Sequence, residues 1–439
     1  MRIFSFLFLF ICCSNLVAKN YYVSSQYGKV TFKGISAKYP KPTIQDAADL
    51  TQPGDTVFVM NGIYTNDCPT CNAVTILHSG TGNKFIVYTN YPGHKPKIKF
   101  NGWAGFSISN GVSYIVINGF EVEGNNTKVT LSQAIKQPKG CLNRKGNYKP
   151  EYNGNGIAIF STNKKYSHHI IVSKNTVYNC GGGGISALRS DYIIFEDNIV
   201  YNNSWYALFG TSGISLYQFK NFNFAKGYHN IIRRNKCYNN KNLVPWIQIC
   251  SVSDGNGIVI DDFLNQQNHS TLGKYTGQTL VENNVCWFNG GTGIHVYLSD
   301  NVNIINNTAY CNSQSSELNA GQILASRSDN IKIMNNILVS DSLNVINSNY
   351  QNKRLAYIHN LHFNITYPKR IKIKITNSTC LDNEDPMFIT PSNNLSANFK
   401  LLPNSPAIDK GATYYGSKTD FETKKRPKRW VTDIGAYEY

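Results

Sequence analysis

The stretch DGNGIVIDDF, residues 254–263, places Asp254, Asp261 and Asp262 close together in a chain with 43 Lys and Arg against 26 Asp and Glu. Aspartates at such spacing can do two kinds of chemistry. They are hard oxygen ligands, suited to Ca²⁺. Two of them can also act as acid and base across a glycosidic bond, Asp254 with Asp261 or Asp262. A comparable stretch, GTGIHVYL, carries His295, whose ordinary pKa makes it a base near neutral pH. These residues form one site only if the elements around them bring two separate stretches together.

The elements repeat. An aliphatic pair, an Asn, an apolar residue and an aromatic recur in IIVSKNTVYN, IIFEDNIVYN, IIRRNKCYNN, TLVENNVCWF and VNIINNTAYC, with Asn175, Asn198, Asn235, Asn284 and Asn307 in register. A Gly-rich turn running into Gly-Ile alternates with it, at Gly156, Gly184, Gly213, Gly257 and Gly293. The period-two apolar pattern and the density of Asn and Gly exclude helical repeats. The spacing is too short for propeller blades. Stacked coils of short parallel strands fit: an all-β, single-domain solenoid with at least two strands per coil and a third expected. The asparagines stack at one corner, and Cys237 and Cys286, sharing one repeat position, read as small core residues.

A solenoid must cap its ends. At about 40–66, Thr43 N-caps a short helix with Ile44, Ala47 and Ala48 on one face, and Pro53-Gly54-Asp55 turns into a first strand. Central repeats occupy about 100–350, and a loop-rich closing segment with a final strand spans about 385–439. Residues 1–18 read as a secretion signal, with Arg2 ahead of a short apolar run and Ala18 at the cleavage point. Residues 19–439 are then the exported β-helix domain. No later stretch is apolar enough to span a membrane. Eleven cysteines, less Cys12 and Cys13 in the leader, leave an odd number, so the framework is not fully paired; Cys68 and Cys71 in CPTC can close a small loop after export.

The QPGDTVFVMNGIYT start, the Asn and Gly-Ile ladders and the SPAIDKG…DIGAYEY end resemble secreted bacterial right-handed parallel β-helix proteins of the pectate-lyase-like superfamily. The resemblance covers nearly all of the exported chain. It implies the right-handed β-helix fold and activity on carbohydrates, in a superfamily of lyases, hydrolases, epimerases and binders. The site layout is distantly similar to family-nine polysaccharide lyases, whose calcium aspartates precede a catalytic lysine in a Gly-apolar-Lys strand. Here His295 takes the lysine's position, and Val259 stands where that family has an aspartate.

Side chains alternate along each strand. Ile157, Ile185, Ile214, Ile258 and Ile294 face inward, as do the residues two further on. Outward rows then hold Val259 beside His295, and Tyr217, Asp261 and Tyr297 in line. A strand spacing of about 4.8 Å and a two-residue offset of about 6.8 Å set Asp261 and His295 roughly 8 Å apart, room for a sugar ring or an ion. Excursions at 241–253 and 264–277 would wall the groove. Arg189 and Arg327 end equivalent strands on either side, whereas Asp191, Asp300 and Asp329 recur in every such turn and receive no role.

Three functions follow. The first is a polysaccharide lyase acting by β-elimination on a uronate polymer: His295 takes the C5 proton, Arg189, Arg327 or a tyrosine holds carboxylate or protonates the leaving oxygen, Asp254, Asp261 and Asp262 hold Ca²⁺, and Tyr217 and Tyr297 pack on sugar faces. The second is an inverting glycoside hydrolase of the polygalacturonase type; the third is a non-catalytic binder or adhesin. The net charge of +17 on an exported monomer points to an acidic polysaccharide as partner and not to nucleic acid.

Overall fold

In the computed structural model the described residues are 17–414 and 416–439, so the leader predicted at 1–18 lies almost wholly outside them. The chain winds into a right-handed β-helix of three parallel sheets, with eleven, nine and eleven strands. Each complete coil contributes one strand to each sheet, so the expected third strand exists. In one coil these are His168–Ser173, Thr176–Tyr178 and Ile185–Leu188. The nine-stranded sheet holds the Gly-Ile strands, pairing in the register expected, Ile214 with Ile258 and Ile258 with Ile294.

The inward rows fill the core. Ile157, Ile185, Ile214, Ile258 and Ile294 have no solvent exposure, and neither do Ile159, Ala187, Leu216, Ile260 and Val296. Burying one such aliphatic side chain stabilises by about 1.5–3 kcal/mol. Cys237 and Cys286 pair in register inside this core as free thiols. A Cβ at Gly257 would lie 2.6 Å from the Gly293 carbonyl oxygen, so close coil stacking requires glycine there.

The corner after each first-sheet strand carries the expected asparagine ladder. Asn198 donates its side-chain amide to Asn235 Oδ1 at 3.0 Å and to the Val172 carbonyl at 2.9 Å. Its backbone N–H donates to the same Asn235 oxygen at 3.1 Å. The pattern runs from Asn175 through Asn284, Asn307 and Asn336 to Asn360. A second ladder, not foreseen, follows the next corner through Asn203, Asn240, Asn289 and Asn312 and ends on Gln322.

The helix Ile44–Ala48 forms as predicted, with the Thr43 hydroxyl accepting from the Asp46 N–H and Ile44, Ala47 and Ala48 buried. The first strand, however, is Asn20–Val23, paired parallel to Thr56–Val59, so the coils begin before the turn at Pro53-Gly54-Asp55. At the other end an antiparallel pair, Phe388–Thr390 with Asn398–Leu401, packs with Ile434, Ala436 and Tyr437 over Trp287 and Tyr310 on an outer sheet face. The closing segment is loop-rich with a last strand, Asn398–Leu401, and residues 433–439 add none. The Asp433 carbonyl is instead taken by the Asn306 side chain, and the Gly435 N–H by the Asn335 carbonyl. The Cys68–Cys71 loop is closed, and an unforeseen disulfide joins Cys141 to Cys250. No helix among the described residues is long and apolar enough to cross a membrane.

Candidate functional site

The outer face of the Gly-Ile sheet lies between two groups of excursions and forms the floor of the candidate site. Strands Ile214–Tyr217, Ile258–Asp261 and Ile294–Tyr297 lie side by side, with Tyr217, Asp261 and Tyr297 in one row and Val259 beside His295 in the other. Both rows match the sequence register. Asp261, His295, Tyr217 and Tyr297 are all partly exposed.

Walls rise on both sides. Ahead of the strands, residues 124–154, 202–213 and 239–257 pack together over Tyr152, Tyr206, Leu208 and Val244, with Cys141–Cys250 tying the first excursion to the third. Behind the strands, residues 262–277 fold back over the floor. Gln267 Nε2 donates to Asp261 Oδ1 at 2.8 Å, and Asn268 Nδ2 donates to the Tyr217 hydroxyl at 2.7 Å. The excursions at 241–253 and 264–277 were legible; the parts of the leading wall at 124–154 and 202–213 were not. The contacts of Gln267 and Asn268 with the floor were not, because glutamine and asparagine in a polar loop carry no pattern.

The walls set the electrostatics. Asp254 closes the leading wall, its carboxylate accepting from Ser253 Oγ at 2.9 Å and from Asn256 Nδ2 at 3.3 Å. Burial raises its pKa against those two hydrogen bonds. Burial also lifts Asp261 well above the carboxylate range, and the charges of Asp254 and then Asp262 add to it. Asp254 therefore ionises first, and Asp261, facing that charge, keeps its proton to higher pH. His295 is driven the other way: burial lowers it to about 4, so its imidazole is neutral near pH 7. Burial, then the Asp261 charge, pushes the Tyr217 phenol up to about 12.

The remaining predicted residues divide. Arg189, Gln218, Asp262, Leu298 and Arg327 occupy the same position after successive strands, all left-handed, with φ between 47° and 53°. That backbone turns their side chains out of the strand's alternating pattern. Asp262 is consequently fully buried: it accepts from Gln218 Nε2 and from the Gln266 and Gln267 N–H groups at 2.7–2.9 Å. It organises the trailing wall through these bonds. Ca²⁺ takes six to eight oxygens, and among the described residues no three His, Cys, Asp or Glu side chains are grouped to hold a metal. Arg189 reaches Gln218 Oε1 at 3.4 Å and leaves its buried Nε unpartnered. Arg327 is exposed on the rim, its guanidinium 5.9 Å from the Tyr297 ring and 5.8 Å from the Tyr350 ring, donating to the Tyr297 hydroxyl at 3.1 Å. It pairs with no carboxylate among the described residues.

No protein-family model and no curated protein matches the sequence. Solved structures do match in shape. The pectate lyase Pel9A superposes over 97% of both chains with a TM-score of 0.53 at 14% identity. A GH136 lacto-N-biosidase from Eubacterium ramulus covers 83% of this chain, which spans 58% of that protein, with a TM-score of 0.47 at 15% identity. The A-module of the Azotobacter vinelandii mannuronan C-5 epimerase AlgE4 gives 0.37 at 13% identity, covering 77% of this chain and 93% of its own. At these identities the likeness is one of fold, the pectate-lyase-like right-handed β-helix.

Proposed function

We propose that the cleft cleaves a glycosidic bond of an acidic polysaccharide by general acid–base hydrolysis, with Asp261 as the acid and Asp254 as the base. The observation that carries this reading is the placement of two carboxyls at one site: Asp261 on the floor, held by Gln267 Nε2, and Asp254 in the leading wall, held by Ser253 Oγ and near enough for its charge to act on Asp261. Two carboxyls whose surroundings separate their protonation are the arrangement this chemistry needs. Asp261 gives its proton to the bridging oxygen as the bond to the anomeric carbon breaks. Asp254 takes a proton from the water that adds to that carbon. Gln267 holds the Asp261 carboxyl in place, and Tyr217 and Tyr297 offer ring faces to the neighbouring sugars. Export to an oxidising compartment accords with the two disulfides, and the net charge of +17 accords with an anionic polymer.

β-Elimination is the second reading, favoured by a specific pair of features. His295 is neutral, and Arg327 lacks a carboxylate partner that a uronate would supply. His295 would remove the C5 proton, and Tyr217, which keeps its own proton, would protonate the leaving oxygen. One digest separates the two. Pectate, alginate and glycosaminoglycans are incubated with the protein, and reducing ends are followed beside absorbance near 235 nm, a general signature of unsaturated uronates. Reducing ends without absorbance, lost in Asp254→Asn and Asp261→Asn, support hydrolysis. Absorbance lost in His295→Ala supports elimination. Retention of a polymer without either signal leaves the cleft as a binding surface.

A further inference from the structure

The leading wall is built separately from the solenoid. Its buried side chains, Ala134, Tyr152, Tyr206, Leu208 and Val244, form a small cluster of their own, distinct from the coil core. Its helices, Leu131–Ile135 and Pro150–Asn153, are one turn each and too short to persist alone. What joins its outer parts is the Cys141–Cys250 disulfide, with Cα atoms 5.6 Å apart and 109 residues between them in sequence.

That link leads directly to the reacting pair. Cys250 lies just ahead of Asp254 on the same excursion. The Asn242 side chain donates to the Ser253 carbonyl at 2.5 Å, and Ser253 Oγ donates to Asp254 Oδ2. Trp246, on the same excursion, donates its N–H to the Ser251 carbonyl at 2.9 Å, and the Ile247 N–H ties the segment to the Leu208 carbonyl at 3.0 Å. A Cβ at Gly210 would sit 2.3 Å from Asp254 Oδ2 and 3.8 Å from the Trp246 ring, so these three residues meet at one point with no room for a side chain.

We propose that the Cys141–Cys250 disulfide is a positioning element of the cleft, holding the leading wall against Asp254 so that the site is competent only in the oxidised chain. This rests on the reading of Asp254 and Asp261 as the reacting pair. Forming the bond removes two protons and two electrons from the thiols, and a protein disulfide of the exporting compartment accepts the electrons by exchange. Dithiothreitol reverses it: its two thiols close to a cyclic disulfide, and Cys141 and Cys250 regain their protons. The groups facing Asp261 are Asp254, Asp262 and Gln267 from its own coil, His295 and Tyr297 from the next, and Tyr217 from the one before. Asp254 itself is held by Ser253 and Asn256, so the wall acts on the pair by fixing the position and burial of Asp254.

The full-length chain carrying Cys141→Ser with Cys250→Ser tests this, beside Cys68→Ser with Cys71→Ser as the control for the other disulfide. Polymer-cleavage kinetics, their pH profile and the thermal melt are recorded for each. The wall variant is expected to lose kcat/KM by about ten- to a hundredfold, to shift its alkaline limb to lower pH as water reaches the pair, and to keep the solenoid's melt. The control is expected to match the parent. Dithiothreitol should reproduce the loss in the parent and in the control but change nothing further in the wall variant. An unchanged rate and pH profile would overturn the proposal, and so would a rate loss that only tracks unfolding. Asp254→Asn and Asp261→Asn separate this from the underlying reading. If they leave the rate intact, the reading of the pair fails; if they abolish it while the wall variant is unaffected, the disulfide proposal fails alone.

Discussion

Asn198 and Asp261 sit on neighbouring coils, and both carry polar groups into protein surroundings. Asn198 is fully buried, and its amide donates to a carbonyl on one side and to Asn235 on the other. Nothing about it is charged, and its neighbours repeat it. Asp261 is held by one side-chain hydrogen bond, from Gln267, and faces the charges of Asp254 and Asp262. The corner is satisfied and the cleft floor is frustrated. Satisfied buried polar groups specify a unique fold; carboxyls kept from water beside like charges have their protonation displaced into a useful range.

The largest effect should come from the frustrated side. Asp261→Asn keeps the shape and removes the transferable proton. A positioned general acid contributes about 10²–10⁴-fold, so cleavage should fall by at least about a hundredfold while the melt is unaffected or rises. Asp254→Asn should do the same through loss of the base. Steady-state cleavage with a folding control checks both, and a loss of less than about tenfold in either would break the comparison at its centre.

The satisfied side should fail in the opposite manner. Asn235→Ala leaves the Asn198 backbone N–H and side-chain amide without their acceptor and the Phe195 carbonyl without its donor. An orphaned buried group costs about 1–3 kcal/mol, so urea unfolding should show a loss of about 3 kcal/mol. Cleavage by the molecules still folded should be unchanged. A rate loss without a stability loss would mean that the corner reaches the cleft.

The same contrast explains what could be read from sequence. The ladders were legible because repetition writes them several times over: Asn175 to Asn307 recur at one place in successive coils, and the Gly-Ile strands fix which residues point outward. That register was enough to put Asp261 beside His295 and in line with Tyr217. It could not place Asp262, because the left-handed residue after each strand breaks the alternation on which the argument depends. It also missed the second ladder, whose asparagines follow an aromatic rather than an aliphatic pair. The Cys141–Cys250 link was hidden because excursions do not repeat, and an odd cysteine count gives no pairing.

A smaller effect is set by pH. The unfolded Asp261 carboxyl ionises in the ordinary range, whereas the folded one holds its proton well above it. Above the ordinary range the folded state therefore binds more protons, and its stability falls as pH rises through the window up to the folded pKa. Asparagine has no such dependence. Asp261→Asn should melt about 2 °C above the parent at pH 8, roughly what 1 kcal/mol is worth in a large domain, with the gap closing towards pH 3. His295 loses stability in the other direction, as pH falls from 6.5 to about 4, but it is common to both proteins and cancels in the difference. A gap that widens on acidification would reverse the assigned direction.

The smallest effect belongs to the rim, between the two regimes. Arg327 is exposed and stacked by Tyr297 and Tyr350, so it is neither orphaned like Arg189 Nε nor desolvated like Asp261. Its guanidinium keeps N–H donors free in a planar fork that matches a carboxylate. Arg327→Lys retains the charge but loses the fork and the stack. KM for an anionic polymer should rise about threefold, under 1 kcal/mol, with kcat unchanged, because the contact is made equally in the bound and reacting states. The methyl-esterified polymer, which offers no carboxylate, should show no change. An equal rise on both polymers would instead make Arg327 a prop for Tyr297, and any discrimination for anionic sugars would then have to come from the diffuse charge of the chain.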